Sequence, residues 1–188
     1  MALAPSRDIV TPVLGRGYTI TIGNSRNLDV DTLPSPLANW SCWRGTDVSP
    51  YCDEFGGTIL NATIGHYAYA TIEPLETNIV RFDSRDQNQV AEYECETELQ
   101  PDGNLDLLKY VHNYAVKRFN SGQPLSLRLT TRVDVPSGSG LGGSSTLVVA
   151  TLRAYAEWLN YPLNDYELAQ TAYLIERSHA GLQGGRQD

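Results

Sequence analysis

The sequence predicts an α+β domain, with strands, a helix, a strand and two helices in order, and three observations carry that prediction. Residues 58–72 (TILNATIGHYAYATI) place apolar side chains on alternate positions, which is typical of a strand. Residues 104–119 (NLDLLKYVHNYAVKRF) repeat them at helical spacing. Between residues 125 and 159, a strand-like run, a glycine-rich loop and a second helical run follow one another.

The first half of the chain is predicted to hold three strands. Residues 1–44 are rich in Pro, Ser, Asn and Gly without a sustained period, so we expect them to be irregular and the domain to span residues 45–188. The first strand is expected to break at Gly65, and its alternating positions are Leu60, Ala62, Ile64, Ala68, Ala70 and Ile72. Residues 79–84 (IVRFDS) and 91–98 (AEYECETE) are predicted to be the next two strands.

The second half is predicted to hold three helices and one strand. The first helix follows the turn residues PDGN, ends at NSGQP and has a face formed by Leu105, Leu108, Val111, Ala115 and Phe119. The strand at 125–135 (LSLRLTTRVDV) places on one side Leu125, Leu127, Leu129, Thr131 and Val133. A helix then runs to about residue 159, and the last helix covers residues 164–177, where Asn164 and Glu167 have the spacing of a capping box.

Composition limits the classes of partner. The formal net charge is -8 and the sequence pI is about 4.8, so the summed field repels phosphate backbones and anionic lipids. We therefore expect no nucleic-acid partner and no membrane surface. A small anionic substrate requires local glycine amides, helix ends or a metal to overcome that field.

Cysteine usage and hydropathy indicate a cytoplasmic location. Cys42, Cys52 and Cys95 are an odd number without a CxxC pair or metal-ligand spacing, which favours a reducing compartment. The first residues lack the apolar core of a signal peptide, and we expect no segment that spans a bilayer.

The loop PSGSGLGGSST, residues 136–146, is the strongest candidate for a binding site. Glycines between a strand and a helix N-terminus present unpaired backbone N–H groups and the positive end of the helix dipole to one point, which suits phosphate. The alternative is a strand-to-helix turn that is glycine-rich without binding anything. The loop matches neither GxxxxGK[ST] nor the GxGxxG of a βαβ unit, and because it has no lysine, a phosphate bound there needs another cation.

The loop resembles the P-x-G-x-G-L-G-S-S-A motif of the GHMP kinases, the family of galactokinase, homoserine kinase and mevalonate kinase. Gly143 stands in place of the first serine, and the matching positions are Pro136, Gly138, Gly140, Leu141, Gly142 and Ser144. The stretch YLIERSHAGLQGGRQD resembles the family's Glu-containing helix with its glycine-rich turn and Asp. The stretch GTDVSPYCDEFGGTILNATI resembles the sugar-binding segment of the branch that phosphorylates D-glycero-D-manno-heptose 7-phosphate at its anomeric oxygen.

The resemblance, which covers about residues 45–188, implies a GHMP kinase N-terminal domain, a ribosomal-protein-like α+β fold that binds ATP and Mg²⁺. It assigns the nucleotide phosphates to the loop residues Pro136, Gly138, Ser139, Gly140, Leu141, Gly142, Gly143, Ser144 and Ser145. By the same resemblance Ser144 and Glu176 lie beside Mg²⁺, which prefers oxygen ligands, and Asp188 is the catalytic base. The sugar hydroxyls would contact Gly45, Thr46 and Asp47.

Plainer interpretations of these residues remain open. A lone glutamate on a helix, such as Glu176, is usually a solvated surface charge, and a carboxylate at the last residue, such as Asp188, is ordinarily frayed and exposed. Asp47 is also interpretable as a turn or cap residue, and Ser144 as a helix N-cap. The three histidines lack metal-ligand spacing and are expected to pack in the core or on the surface. Alternative functions are a kinase for a galactose- or fucose-like sugar, a non-catalytic nucleotide or sugar-phosphate binder, and a structural domain of the same fold.

Two departures from the family pattern affect the expected activity. Ala38 stands where this branch has an arginine, and Trp43 and Arg44 stand where it has two glycines, which weakens a sugar-phosphate site built on them. GHMP kinases also continue with a C-terminal α+β domain that closes the cleft. We therefore expect this chain alone to be a poor kinase, with a homodimer or a second polypeptide completing the cleft.

Overall fold

The computed structural model describes residues 21–22, 35–39, 50–56 and 62–182, and within them the chain forms one mixed sheet with helices against it. The strands are β1 Thr21–Ile22, β2 Ser35–Asn39, β3 Ala62–Pro74, β4 Ile79–Ser84, β5 Gln89–Glu94 and β6 Leu127–Val133. The helices are α1 Tyr51–Phe55, α2 Asp106–Phe119, α3 Gly143–Trp158 and α4 Asp165–Leu174, which continues as a π-helical turn, Ile175–His179. The predicted α+β class is confirmed.

The long strand β3 organises the sheet, whose order is β1-β3-β6-β4-β5. One edge of β3 pairs antiparallel with β6, from Ala68 opposite Val133 to Pro74 opposite Leu127. The other edge carries β2, antiparallel, and β1, parallel. Beyond β6 lie β4, which is parallel to it, and β5, which forms a hairpin with β4.

The core lies between this sheet and α2, α3 and α4. Strand β6 buries Leu127, Leu129 and Thr131, because strand side chains alternate between the two faces. Helix α3 packs against β3, and α2 and α4 pack against α3. Burying this apolar layer provides the main favourable free energy of folding. The core comprises Ala68, Ala70, Ile72, Val80, Phe82, Leu99, Leu108, Val111, Ala115, Val116, Leu125, Leu127, Leu129, Leu147, Val148, Ala150, Leu152, Ala154, Tyr155, Leu168, Ala172 and Ile175.

The strand boundaries differ from the prediction at several places. Strand β6 spans Leu127–Val133 and β5 ends at Glu94, so both end inside the predicted ranges 125–135 and 91–98. The expected break at Gly65 is wrong, because β3 runs through it while β2 continues the ladder on one edge. Strand β5 begins at Gln89, two residues early, because the turn closes with Ser84 opposite Gln89 and Asn88 at a φ of 50°. Strands β1 and β2 lie within the segment for which the sequence predicts irregular structure, and they are too short to show a period. Leu60 lies outside the described residues.

The helix predictions agree better. Helix α2 buries Leu108, Val111 and Ala115 as expected. The capping box of α4 is confirmed, with Asn164 Oδ1 accepting from Glu167 N at 3.0 Å and Glu167 Oε2 accepting from Asn164 N at 3.1 Å. The predicted α-helix over 164–177 is wrong only in its last turn, which is π-helical.

Candidate functional site

The glycine loop leaves the end of β6 in a backbone conformation that requires glycine. The φ angles of Gly138, Gly140 and Gly142 are 77°, 73° and 72°. These are left-handed values, which cost other L-residues roughly 1–2 kcal/mol each. Every second residue of the loop is left-handed, and such alternation turns backbone N–H groups towards a common concave side. The loop is therefore built for close approach of a ligand to the backbone.

Helix α3 begins directly after this loop. Gly142 is its N-cap residue, so the alternative interpretation of Ser144 as the N-cap is wrong. The Thr146 N–H and hydroxyl both donate to Gly142 O, at 3.0 and 2.9 Å. The N–H groups of the three preceding residues, Gly143, Ser144 and Ser145, lie in the first turn, where no intrahelical acceptor exists. They face the ligand side with the positive end of the helix dipole.

Asp134 fixes the start of the loop to the neighbouring strand. Its Oδ2 accepts from Tyr67 N–H and from the Tyr69 hydroxyl, both at 3.2 Å, and its Oδ1 accepts from Arg132 Nη2 at 3.0 Å. The Asp134 N–H donates to Tyr67 O at 2.9 Å. These bonds continue the β3–β6 ladder by one residue, so the loop leaves the sheet from a defined position.

Glu176 reaches this site from the π-helical turn. Its side chain is buried, with a relative exposure of 2% for the residue. Burial raises the pKa of the Glu176 carboxyl, while the Ser145 hydroxyl, the Arg177 guanidinium and the Ser144 hydroxyl favour its ionised form. The interpretation of Glu176 as a solvated surface charge is therefore wrong.

The Glu176 carboxylate and the serines form an oxygen-rich group that fits a hard cation. Glu176 Oε1 is buried and has no hydrogen-bond partner within the part of the chain that the structure describes. A buried carboxylate oxygen without a partner is costly unless a ligand satisfies it. Hydroxyl and carboxylate oxygens suit Mg²⁺, which keeps its other positions for water and phosphate oxygens. The residues present therefore fit the cation that the family resemblance implies.

A cavity of about 380 Å³ opens over the loop. This volume is within the range of roughly 300–1,000 Å³ that small-molecule sites occupy. Its walls comprise Asp86, Gln87, Leu107, Val133, Val135, Pro136, Ser137, Gly138, Ser139, Gly140, Gly142, Gly143, Ser144, Ser145, Leu147, Arg177 and Leu182. The β4–β5 turn, the start of α2, the loop and the π-helical turn thus meet around one space.

The structure brings together only part of the residues that the sequence nominates. Most of the loop lines the cavity, and Ser144 and Glu176 are neighbours. Ser145, which the sequence nominates only for the nucleotide phosphates, also acts on the Glu176 carboxyl through its hydroxyl, as Ser144 does. Asp188 and the proposed sugar contacts, Gly45, Thr46 and Asp47, lie outside the described residues, and their roles stay predictions.

Outside the loop, sequence reasoning missed the three polar or charged wall residues, Asp86, Gln87 and Arg177. Asp86 and Gln87 belong to a hairpin turn more than forty residues from the loop, and no motif links the two. Arg177 follows Glu176 directly, so its position in sequence was a usable signal.

Two further searches gave negative results. In the described ranges no three His, Cys, Asp or Glu side chains are grouped as metal ligands. Across the same part of the chain, the helices are too short or too polar to cross a bilayer. His112 packs in the core, with its Nδ1 2.8 Å from the Tyr155 hydroxyl, whereas His66 and His179 are exposed.

The glycine loop, the α3 N-terminus and the buried Glu176 all lie within residues 106–188. These residues match the family described as "GHMP kinases N terminal domain", so the resemblance that the sequence indicates is confirmed.

Three relatives illustrate the similarity. The chain is 52% identical over 154 residues to the D-glycero-alpha-D-manno-heptose 7-phosphate kinase of Campylobacter jejuni, a match that covers 82% of this chain and 45% of that protein. A solved D-glycero-D-manno-heptose 1-phosphate kinase from Bacteroides thetaiotaomicron superposes with a TM-score of 0.77 at 44% identity, over 82% of this chain and 50% of that one. A solved Campylobacter jejuni protein superposes with a TM-score of 0.72 at 49% identity, over 82% and 47%. The chain thus spans about half the length of these relatives.

Proposed function

We propose that the chain carries the ATP- and sugar-binding half of a GHMP kinase that phosphorylates the anomeric hydroxyl of D-glycero-D-manno-heptose 7-phosphate. The observation that supports it most is the buried Glu176 carboxylate with an open oxygen, placed beside two serines at the start of α3. The names of two relatives, both heptose phosphate kinases, support the substrate class. Those names differ in the phosphate position, and the 7-phosphate is our choice because the relative of 52% identity carries it.

The loop is proposed to bind the phosphates of ATP. The N–H groups between Gly138 and Ser145 and the α3 dipole supply donors and partial positive charge without a lysine. The charges of a triphosphate would otherwise oppose a chain of net charge -8. Donors fixed by the fold do not need to reorganise when charge moves during the reaction, which is the main source of electrostatic catalysis.

Glu176, Ser144 and Ser145 are proposed to hold Mg²⁺ beside the terminal phosphates. When bound there, the ion offsets charge on the β- and γ-phosphates. Binding requires an ionised Glu176, and the two hydroxyls and Arg177 favour that form against the cost of burial.

Asp188 is proposed to orient the sugar hydroxyl and accept its proton. The hydroxyl oxygen bonds to the γ-phosphorus of ATP, the bond from that phosphorus to the β–γ bridging oxygen breaks, and ADP leaves. The proton passes to the Asp188 carboxylate. Gly45, Thr46 and Asp47 are proposed to contact the sugar hydroxyls.

The test is ADP release from Mg-ATP by this chain, with a panel of acceptors. The panel contains heptose 7-phosphate, heptose 1-phosphate, galactose, fucose and mevalonate. From this chain alone we expect slow release, fastest with heptose 7-phosphate, and a further fall of kcat by at least about 100-fold in Asp188→Asn, because a positioned base contributes about 10²–10⁴. Glu98→Gln, which changes an exposed acid in a loop, is the control and should match the unmodified chain.

The outcomes separate the alternatives. Preference for heptose 1-phosphate, galactose or fucose would reassign the substrate within the family. No ADP release with any acceptor, together with Mg-ADP binding, would favour a non-catalytic nucleotide-binding module. Absence of both would contradict a nucleotide function.

We propose that the chain acts in the cytoplasm, on a small sugar phosphate, and this is supported by the free thiol at Cys95. We also propose that a homodimer or a second polypeptide completes the cleft. The mass of the purified chain in solution distinguishes a homodimer from a monomer.

A further inference from the structure

The glycine loop has one charge problem that backbone N–H groups solve only in part. Within the described residues that line its cavity, Asp86 contributes a carboxylate and Arg177 is the single Lys or Arg. Asp86 Oδ1 accepts from the Ser84 hydroxyl at 3.4 Å. A nucleoside diphosphate that enters this cavity therefore lies near the side chain of Asp86 as well as the glycine loop.

Arg177 lines the same cavity and is held in place by two contacts. Its Nη1 donates to Leu182 O at 3.2 Å, and its guanidinium lies 5.5 Å from the centre of the Tyr173 ring. The residue is half-buried, and Leu182 lines the same cavity. A guanidinium has its donors in a rigid fork, so these contacts orient the group at the cavity wall.

Arg177 lines the same cavity as Ser144 and Ser145, the two serines at the start of α3. Glu176 and Arg177 are consecutive in the π-helical turn, which buries the first and leaves the second at the cavity wall. Arg132, which is nearest to the loop in sequence, is not an equivalent cation, because it is 64% exposed, binds Asp134 and does not line the cavity.

We propose that Arg177 is the cation of the lysine-free loop and contacts the β-phosphate of the bound nucleotide. This inference rests on the proposed nucleotide function of the same cavity. We assign the contact to the β-phosphate because Glu176, the neighbour of Arg177, is proposed to hold Mg²⁺ beside the terminal phosphates. The guanidinium would bind two phosphate oxygens through parallel N–H groups, as arginines do with planar or tetrahedral oxyanions.

The experiment measures Kd for ADP and for AMP by calorimetry, in EDTA, on the whole 188-residue chain. Arg177→Gln removes the charge and keeps most of the side-chain length. Because a hydrogen bond to a charged group is worth a factor of about ten or more in affinity, we expect ADP to weaken about tenfold or more and AMP by less than about threefold. Arg177→Lys should retain part of the ADP affinity as a point charge.

The control is Arg118→Gln, an exposed arginine at the far end of α2. It lies eleven residues from Leu107, the α2 residue at the cavity, or roughly 16 Å along the helix. The control tests whether a loss of one positive charge anywhere weakens ADP. We expect its Kd values to equal those of the unmodified chain.

The ratio of the two Kd values distinguishes a phosphate contact from a structural role. If Arg177 only supports the π-helical turn, the variant weakens ADP and AMP equally, and the proposal is overturned. Partial unfolding lowers the number of sites and leaves the ratio unchanged. If the variant binds ADP like the unmodified chain, Arg177 is not the cation although the nucleotide function stands. If the unmodified chain binds no ADP, the nucleotide function and the role of Arg177 are both overturned.

Discussion

Gly142 and Gly143, which are neighbours in the loop sequence, differ in whether their backbone tolerates a side chain. Gly142 is left-handed, with a φ of 72°, and ends the loop as the N-cap of α3. Gly143 is the first residue of the helix, where an added Cβ would lie 3.4 Å from Val133 Cγ1 and 3.5 Å from Val135 Cγ2, which is ordinary contact. The family motif has a serine at position 143, and the geometry explains why both residues fit there.

Substituting these two glycines by alanine should therefore separate strain from composition. We expect Gly142→Ala to lower the free energy of unfolding by roughly 1–2 kcal/mol, the cost of a left-handed alanine, and to weaken ADP binding. Gly143→Ala should be neutral or stabilise by up to about 1 kcal/mol, because alanine is the better helix former. Urea unfolding of the pair measures both effects. Equal destabilisation by the two substitutions would contradict the assigned geometry.

Glu176 combines a cost in stability with a role in binding. Burial raises the pKa of its carboxyl, so the folded chain holds that proton more tightly than the unfolded chain and ionisation at neutral pH is unfavourable to folding. The sequence could suggest the residue by family resemblance, but not its burial, because that depends on the π-helical turn.

Glu176→Gln should therefore raise stability while removing metal-dependent binding. At pH 7 we expect the free energy of unfolding without ligand to rise by about 1 kcal/mol, the order of the penalty for a buried group without its partner. Addition of Mg²⁺ should strengthen ADP binding in the unmodified chain and have no effect in the variant. Glu98→Gln provides the matched control on an exposed acid, with neither change expected. A variant that loses stability and keeps the Mg²⁺ effect would contradict the assignment.

At the scale of elements, helix positions were predictable and their polar contacts were not. The periodicity of α2 correctly gave Leu108, Val111 and Ala115 as buried, yet Lys109 is also buried, with an exposed fraction of 1%. Its ammonium pairs with Asp102 and with Asp106, at 2.9 Å from the latter, and lies 4.6 Å from the centre of the Tyr93 ring. A lysine is rarely buried without partners. Asp106 lies three residues before it on α2, but Asp102 belongs to the preceding loop and leaves no periodic signal.

A second buried polar contact joins α2 to α3. His112 Nδ1 lies 2.8 Å from the Tyr155 hydroxyl, and the Phe82 ring of β4 packs edge-on against the imidazole. Burial lowers the pKa of His112 from 6.5 to about 4. The imidazole is therefore neutral in the folded chain across most of the acid range.

This pair predicts a specific dependence of stability on pH. The unfolded chain binds the His112 proton more tightly than the folded chain does. The contribution of His112 to the free energy of unfolding is therefore constant above about pH 6.5 and falls by up to about 3 kcal/mol as the pH drops towards 4. Replacing both partners, in His112→Leu with Tyr155→Phe, avoids leaving one polar group alone and should remove this part of the dependence. Urea unfolding at a series of pH values measures it.

The control for this prediction is His66→Gln, because His66 is exposed on β3. That variant should follow the unmodified chain at each pH. The idea would be wrong if the double variant lost as much stability between pH 6.5 and 4 as the unmodified chain does.

For the whole molecule, the sequence predicted the layers better than their connections. Alternation in 79–84 and 125–135 and the capping box of α4 are local signals, and the corresponding elements are present. The parallel pairing of β4 with β6, and the two short strands on the outer edge of β3, arise from contacts between distant segments. The approach of the β4–β5 turn to the glycine loop has the same origin.

The alternation of left-handed glycines also limits how this protein can evolve. A single-base change in a glycine codon yields Ala, Val, Ser, Cys, Trp, Arg, Asp or Glu. Of these, only Asp adopts the left-handed conformation with any ease, and it would place a carboxylate beside bound phosphates. Asn, which is tolerant and neutral, requires two base changes. At Gly138, Gly140 and Gly142, therefore, no one-step mutation preserves both backbone and charge, and the loop is expected to be lost abruptly rather than to drift.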